Sequence, residues 1–249
     1  MVRFRRAALR NANSVLALVD LQVRRGGEYA YIKPYQPFRR TLKAARKAGL
    51  PVGDYIDTKF QIPGATQATV DQLAAYGVLG DDLHRVCEVG PGSGRYLERV
   101  KHLCAGCSYE IYETDNSWSE WLVRNYQVTA HDADGTTLCH TPTETIDLVH
   151  AHKVFVCLPF VVSCGYFEEM VRVVRKGGWI VFDIVSEACM ADSNVEKWVA
   201  SKVYYPCMMA REFVIQFFAK RHCSLRASFF APMMPGQSEY LIFAKESAM

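Results

Sequence analysis

The 249-residue chain lacks an apolar run of the roughly 18 residues that a membrane helix needs. Its most apolar stretch, 146–162, is broken by Asp147, His150, His152, Lys153 and Pro159. A membrane-spanning protein is therefore not expected. Low-complexity tracts and internal repeats are also missing, which excludes solenoid and fibrous classes. Met1-Val2-Arg3-Phe4-Arg5-Arg6 is positive, but no apolar segment with a small-residue cleavage site follows, so no secretory signal is expected. Metal-ligand spacing is equally scarce. Cys104-Ala105-Gly106-Cys107 is a lone C-x-x-C with no second pair, and no metal is assigned. The nine cysteines are odd in number and most sit in apolar runs, where a free thiol acts as a small hydrophobe; a reducing cytoplasm is the simplest setting.

What is present is core-forming material: half of the residues are hydrophobic and 12% aromatic, enough for one large α/β domain or a domain with an added cap. The net charge of +3 hides an asymmetry. Residues 1–50 hold 12 basic and two acidic side chains, a balance of +10, while the remainder holds 17 basic and 24 acidic, a balance of −7. A basic segment of this kind is either a solvated helical face or a surface for an anionic partner.

Helical spacing of Leu16, Val19 and Val23 predicts a helix over 5–25, stopped by Gly26-Gly27. An aromatic, proline-rich passage follows, then a basic helix over 38–48 ending at Gly49. Residues 50–65, with Pro51, Gly53, Pro63 and Gly64, read as irregular, and 65–76 reads as helical. From residue 83 strands and helices alternate. Strands are expected at 85–89, 108–113, 127–131, 146–151 and 179–185, and a terminal hairpin at 226–245. The boundary falls near 80, giving an N-terminal helical cap (1–80) and a main domain (81–249).

The richest stretch is Arg85-Val86-Cys87-Glu88-Val89-Gly90-Pro91-Gly92-Ser93-Gly94-Arg95. It reads as a strand, a glycine turn and a helix start, an arrangement that lets backbone approach a ligand and aims helix N–H groups at it. A dinucleotide fingerprint wants a third glycine where Arg95 stands. The glycines instead fall at 90, 92 and 94, with Glu88 two residues ahead. This E-x-G-x-G-x-G pattern resembles the first motif of the Rossmann-like (class I) S-adenosylmethionine-dependent methyltransferases. Three later stretches fit the same family. Glu113 ends the second strand, 19 residues past Gly94. Ala133-Asp134-Gly135-Thr136-Thr137-Leu138 follows the third strand, and Thr145-Ile146-Asp147-Leu148-Val149-His150-Ala151-His152 resembles the fourth. The helix over 166–175, then Lys176-Gly177-Gly178-Trp179-Ile180-Val181-Phe182-Asp183, resembles the helix, glycine turn and fifth strand. The resemblance spans roughly 83–187 and, less specifically, the hairpin.

The resemblance implies a doubly wound, mostly parallel seven-stranded sheet with helices on both faces, and S-adenosylmethionine as cofactor, leaving as S-adenosylhomocysteine. It implies cofactor binding at Glu88, Gly90, Gly92 and Gly94, at Glu113 with Asp115 as fallback for the ribose diol, and at Asp134 for the adenine amine, with Asp132 competing. His150 and His152 alternate to one strand face, and His152, nearer the carboxyl edge, is the candidate base for a hydroxyl acceptor. A structural histidine is the alternative. Tyr29, Tyr31, Tyr55, Asp57 and Tyr204 are candidate acceptor contacts, since tyrosine joins an apolar body to a polar tip.

These features favour O-methylation of a small or lipid-linked hydroxylated acceptor such as a sugar. An Asn-Pro-Pro-Tyr type signature, used in the family on amide or base nitrogen, is absent from Ala151-His152-Lys153-Val154. Three alternatives stay open: an RNA- or other anionic-substrate enzyme using the basic arm, a non-catalytic cofactor-binding relative, and a nicotinamide oxidoreductase. Nucleic acid is not the expected partner, and a homo-oligomer is left open.

Overall fold

The computed structural model describes residues 36–201 and 206–247. The helix expected over 5–25 and the acceptor candidates Tyr29, Tyr31 and Tyr204 lie outside those residues. The described chain opens with α1 (Phe38–Ala48), α2 (Val52–Phe60) and α3 (Ala65–Ala75). α1 stops where expected, at Gly49, whose φ of 68° closes the helix in the left-handed conformation. The passage expected to be irregular holds α2 instead. Pro51 precedes its first turn, where a missing N–H removes no helical bond. Gly53 is tolerated inside the helix because a Cβ there would stand 3.1 Å from the Arg95 Cβ. The glycine marks close packing, not a break.

From residue 85 the elements are β1 (Arg85–Val89), α4 (Arg95–Leu103), β2 (Ser108–Tyr112), α5 (Asn116–Tyr126), β3 (Thr129–His131), β4 (Ile146–Ala151), α6 (Phe160–Val173), β5 (Val174–Ile184), α7 (Asp192–Ser201), α8 (Arg211–Ala219), β6 (Cys223–Met233) and β7 (Gly236–Lys245). Among the described residues the strands form one seven-stranded sheet in the order β3-β2-β1-β4-β5-β7-β6. The first five are parallel; β7 runs antiparallel between β5 and β6. The expected alternation and hairpin are therefore present. One boundary differs: β5 begins directly after α6, so Lys176-Gly177-Gly178 lies inside the strand. Val174 pairs with Ile146 and the register then shifts before Leu148 meets Trp179, which expels the intervening residues as an irregularity.

Strand alternation divides the core between the two faces of the sheet. Cys87, Val89, Val149, Phe182 and Phe243 pack with Phe155, Phe167 and Phe218 on one side. Val86, Ile111, Leu148 and Ile242 pack on the other with Tyr96 and Leu97 of α4 and with Val70 and Leu73 of α3. Each such side chain, fully buried, contributes about 1.5–3 kcal/mol. The strand order reverses between β1 and β4, which puts a crevice at the carboxyl ends of those strands, where open α/β sheets bind ligands. No helix among the described residues is long and apolar enough to cross a membrane.

Candidate cofactor site and the polar chain beneath it

The turn between β1 and α4 is fixed by three glycines with φ of 64° (Gly90), 54° (Gly92) and 74° (Gly94). A Cβ on Gly90 would lie 2.8 Å from Val154 Cγ2, and one on Gly94 would collide with Leu122. A Cβ on Gly92 would meet nothing within 4 Å. The outer glycines thus lock the turn against the protein, while the middle one faces open space. Gly92 N–H donates to Glu113 Oε2 at 2.8 Å, and Asp115 N–H donates to Glu113 Oε1 at 2.8 Å. Burial pushes the Glu113 carboxyl up to about 7, against those two donors, and the neighbouring Asp115 charge adds to the rise. Glu113 therefore stands on the glycine turn, as its position at the end of the second strand suggested.

The other acids are placed differently. Asp115 caps α5: its Oδ1 accepts from Ser117 N–H at 2.8 Å and Trp118 N–H at 3.4 Å. Its carboxylate is committed to the helix start, not aimed at the crevice. Asp134 is exposed but closes its own turn, accepting from the backbone and hydroxyl groups of Thr136 and Thr137. Burial opposes its ionisation, yet those donors hold its carboxyl below the usual range. Glu88 is 1% exposed and points to the α3/α4 face, where the Tyr109 hydroxyl donates to its Oε2 at 2.6 Å. It does not open onto the turn.

His152 is also elsewhere than expected. Rather than facing the carboxyl edge it is 6% exposed, stacked on Tyr96 at 3.8 Å between centroids, with both ring nitrogens engaged: Nε2 with His150 Nδ1 at 2.8 Å and Nδ1 with the Tyr240 hydroxyl at 3.0 Å. Burial holds His150 down to about 3, and burial with the His150, Lys153 and Arg95 charges pushes His152 well below its ordinary value. Both rings are neutral in the neutral pH range. Strand alternation correctly put the two histidines on one face, but that face is covered by α4. His150, His152 and Glu88 offer ligand atoms within 4.8 Å of one another.

Asp57, expected at the acceptor, is 1% exposed and accepts from Thr66 N–H (3.0 Å), Thr66 Oγ1 (2.6 Å) and Arg95 Nη1 (2.8 Å). It ties α2 and α3 to the first residue of α4. Tyr55 is half-buried with its ring edge-on to Phe60. Arg95 drew notice in the sequence only because it occupies a glycine slot. Lys153 was missed altogether: at φ 60° it donates its backbone N–H to Asp183 Oδ1 at 2.7 Å, while its Nζ lies 3.0 Å from Asp183 Oδ2 and 2.6 Å from Ser238 Oγ. A non-glycine residue in the left-handed region is uncommon enough to mark a constrained position. Here it falls at the end of β4, one residue before the Val154 that packs on Gly90.

Residues 87–182 match the family model described as "Methyltransferase domain". Among curated proteins no sequence matches the chain. Similar solved structures include magnesium protoporphyrin IX methyltransferase from Synechocystis with bound S-adenosylhomocysteine (14% identity, TM-score 0.58, covering 78% of this chain and 86% of that one). Geranyl diphosphate C-methyltransferase from Streptomyces coelicolor, in complex with magnesium, geranyl diphosphate and S-adenosylhomocysteine, matches at 10% identity and TM-score 0.56 over 72% and 77% of the two chains. The N-methyltransferase NodS from Bradyrhizobium japonicum, with S-adenosylhomocysteine, matches at 12% and 0.54 over 73% and 87%.

Proposed function

We propose that the chain, whose residues 87–182 match a methyltransferase domain, is a class I methyltransferase that uses S-adenosylmethionine as cofactor and methylates an oxygen of a small or lipid-linked hydroxylated acceptor such as a sugar. The observation that carries the cofactor half is the glycine turn with Glu113 on it: two glycines locked by packing, the third open, and a carboxylate bonded to the open one. A nucleoside diol fits that carboxylate, since it can accept from both hydroxyls. Gly90, Gly92, Gly94 and Glu113 are proposed to hold the cofactor, with the Asp134 turn at the adenine side. Glu88 and Asp115 support the site from behind, through the buried chain and the α5 cap. The split at residue 80 remains a proposal for how cap and catalytic domain divide.

When bound, the cofactor supplies a methyl group on a sulfonium. The protein's tasks are alignment and exclusion of water. The buried His152 does not touch the acceptor. At the carboxyl edge of β4 the polar group is Lys153, held by Asp183 and Ser238, and its ammonium is proposed to orient an acceptor hydroxyl. The oxygen assignment rests on the missing nitrogen-type signature after β4. The structural relatives act on a porphyrin, a prenyl diphosphate carbon and a nitrogen by their names, so the acceptor must be found directly.

A second reading has one observation behind it. Arg39, Arg40, Lys43, Arg46 and Lys47 of α1 are all exposed, which suits an anionic acceptor, RNA included. Incubation with methyl-labelled cofactor and panels of hydroxylated compounds and RNA tests both. Methyl ether formation on a hydroxylated compound, insensitive to salt, supports the first reading. N- or C-methyl products, or salt-sensitive labelling of RNA, overturn it.

A further inference from the structure

Six buried side chains form one continuous hydrogen-bonded chain on the α3/α4 face. Glu88 Oε2 lies 2.6 Å from the Tyr109 hydroxyl, which lies 2.8 Å from His150 Nε2. His150 Nδ1 lies 2.8 Å from His152 Nε2, and His152 Nδ1 lies 3.0 Å from the Tyr240 hydroxyl, itself 3.3 Å from the Tyr96 hydroxyl. Each hydroxyl and each neutral imidazole has one hydrogen to place, so the chain must run in a single direction. With Glu88 ionised, Tyr109 donates to it, both histidines carry hydrogen on Nε2, and Tyr240 turns its hydrogen from Tyr96 to His152. With Glu88 protonated every bond reverses. Glu88 donates to Tyr109, both histidines carry hydrogen on Nδ1, and Tyr96 accepts from Tyr240.

We propose that Glu88, Tyr109, His150, His152 and Tyr240 are a proton wire with two states, in which a proton taken up at Tyr240 is stored on Glu88 and Tyr96 accepts from Tyr240 in the stored state. The step balances: as one proton enters at the Tyr240 hydroxyl, one hop occurs along each of the four bonds from Tyr240 to Glu88 and one proton comes to rest on the carboxylate. The wire lies against the glycine turn, since Glu88 is two residues before Gly90, and Tyr96, two residues after Gly94, stacks on His152. Its use rests on the hydroxyl-acceptor reading, because methyl transfer to a hydroxyl releases one proton; its existence does not.

The surroundings suit such a store. Burial pushes Glu88 up to about 8; the Tyr109 hydrogen bond lowers it, Glu113 raises it and Arg95 lowers it. Arg95 is itself paired with Asp57. At the other end, Asp183 and Tyr96 raise Tyr240 further beyond the effect of burial, while Arg95 lowers it, and Lys153 lies over the Tyr240 ring at 5.1 Å. A metal held by Glu88, His150 and His152 fits less well. Two ligands of one tetrahedral ion at about 2.0–2.1 Å stand roughly 3.3 Å apart, whereas the His150 Nδ1 and His152 Nε2 atoms lie 2.8 Å apart, at hydrogen-bond distance.

Nitrogen NMR of histidine-labelled protein, followed from about pH 6 to about pH 9.5, reads the tautomers directly. The wire predicts that His150 and His152 switch together from the Nδ1–H to the Nε2–H form with one midpoint, near 8 as for Glu88. Glu88→Gln removes the midpoint, and Tyr109→Phe uncouples the histidines from it. Tautomers that stay constant, separate midpoints, a doubly protonated ring in this range, or shifts reversed by a chelator overturn the proposal. The wild-type titration decides even where a variant fails to fold. A tautomer switch without O-methylation would remove the hydroxyl reading and leave the wire standing.

Discussion

Replacing Arg95 with methionine tests whether the opening helices are clamped to the glycine turn by a buried ion pair. The Asp57 side chain is 2% exposed and that of Arg95 11%, with Nη1 and Oδ1 2.8 Å apart. Removing one partner of a buried pair leaves an uncompensated charge, at about 3–5 kcal/mol. Asp57 would keep the Thr66 N–H and hydroxyl as donors, which places the expected loss near the lower end, about 3 kcal/mol. For a domain of this size that corresponds to a fall in Tm of roughly 6–12 °C. Adding Asp57→Asn to Arg95→Met keeps an acceptor for Thr66 and removes the stranded charge, so it should recover about 1–2 kcal/mol. Urea unfolding followed by circular dichroism measures both. Arg95→Met within about 1 kcal/mol of wild type, or a further loss on adding Asp57→Asn, would refute the reasoning.

Two further outcomes are expected. Gly94→Ala places a Cβ against Leu122 at a φ of 74°, so it should destabilise by about 1–3 kcal/mol in the same assay; an unchanged midpoint would show that the turn is not locked there. Stability should also depend on pH in two opposed ways. His150 and His152 are pushed below the ordinary 6.5, so their contribution is present above 6.5 and lost as pH falls below it. Glu88 and Glu113 are raised from 4.5 to about 8 and about 7, so their contribution is present below 4.5 and lost as pH rises toward 8. Above 6.5 only the second effect operates, and stability should decline toward pH 8. Glu88→Gln should flatten that decline; an equally steep decline in the variant would contradict the burial argument.

Much of the fold was legible because the sheet's pattern is local: each strand announces itself by a short apolar run, and each turn by its glycines. Glu113 was legible for the same reason, as an acid at a fixed distance from the glycine turn. The misplacements share a physical cause. Asp115 and Asp134 sit in the right loops, but their carboxylates are consumed by backbone N–H groups two and three residues on, and acids at helix starts and turns do this often. His152 has the predicted strand parity, yet parity cannot say that α4 lays Tyr96 across it. Asp57 looked like a polar contact in a loop because Pro51 and Gly53 hid α2. Lys153 left no sequence signal, since its role comes from a backbone conformation and from Asp183, 30 residues away.

Calorimetric titration of the purified protein with S-adenosylmethionine and S-adenosylhomocysteine, with NAD as control, tests the central claim most directly. Both adenosyl ligands should bind and NAD should not. Gly92→Asp, which fills the open side of the turn with bulk and charge, should abolish binding with the protein still folded, its melting temperature lowered only by the strain of a side chain at φ 54°. Wild-type protein that binds neither adenosyl ligand, or Gly92→Asp with unchanged affinity, would contradict the assignment of the glycine turn to the cofactor.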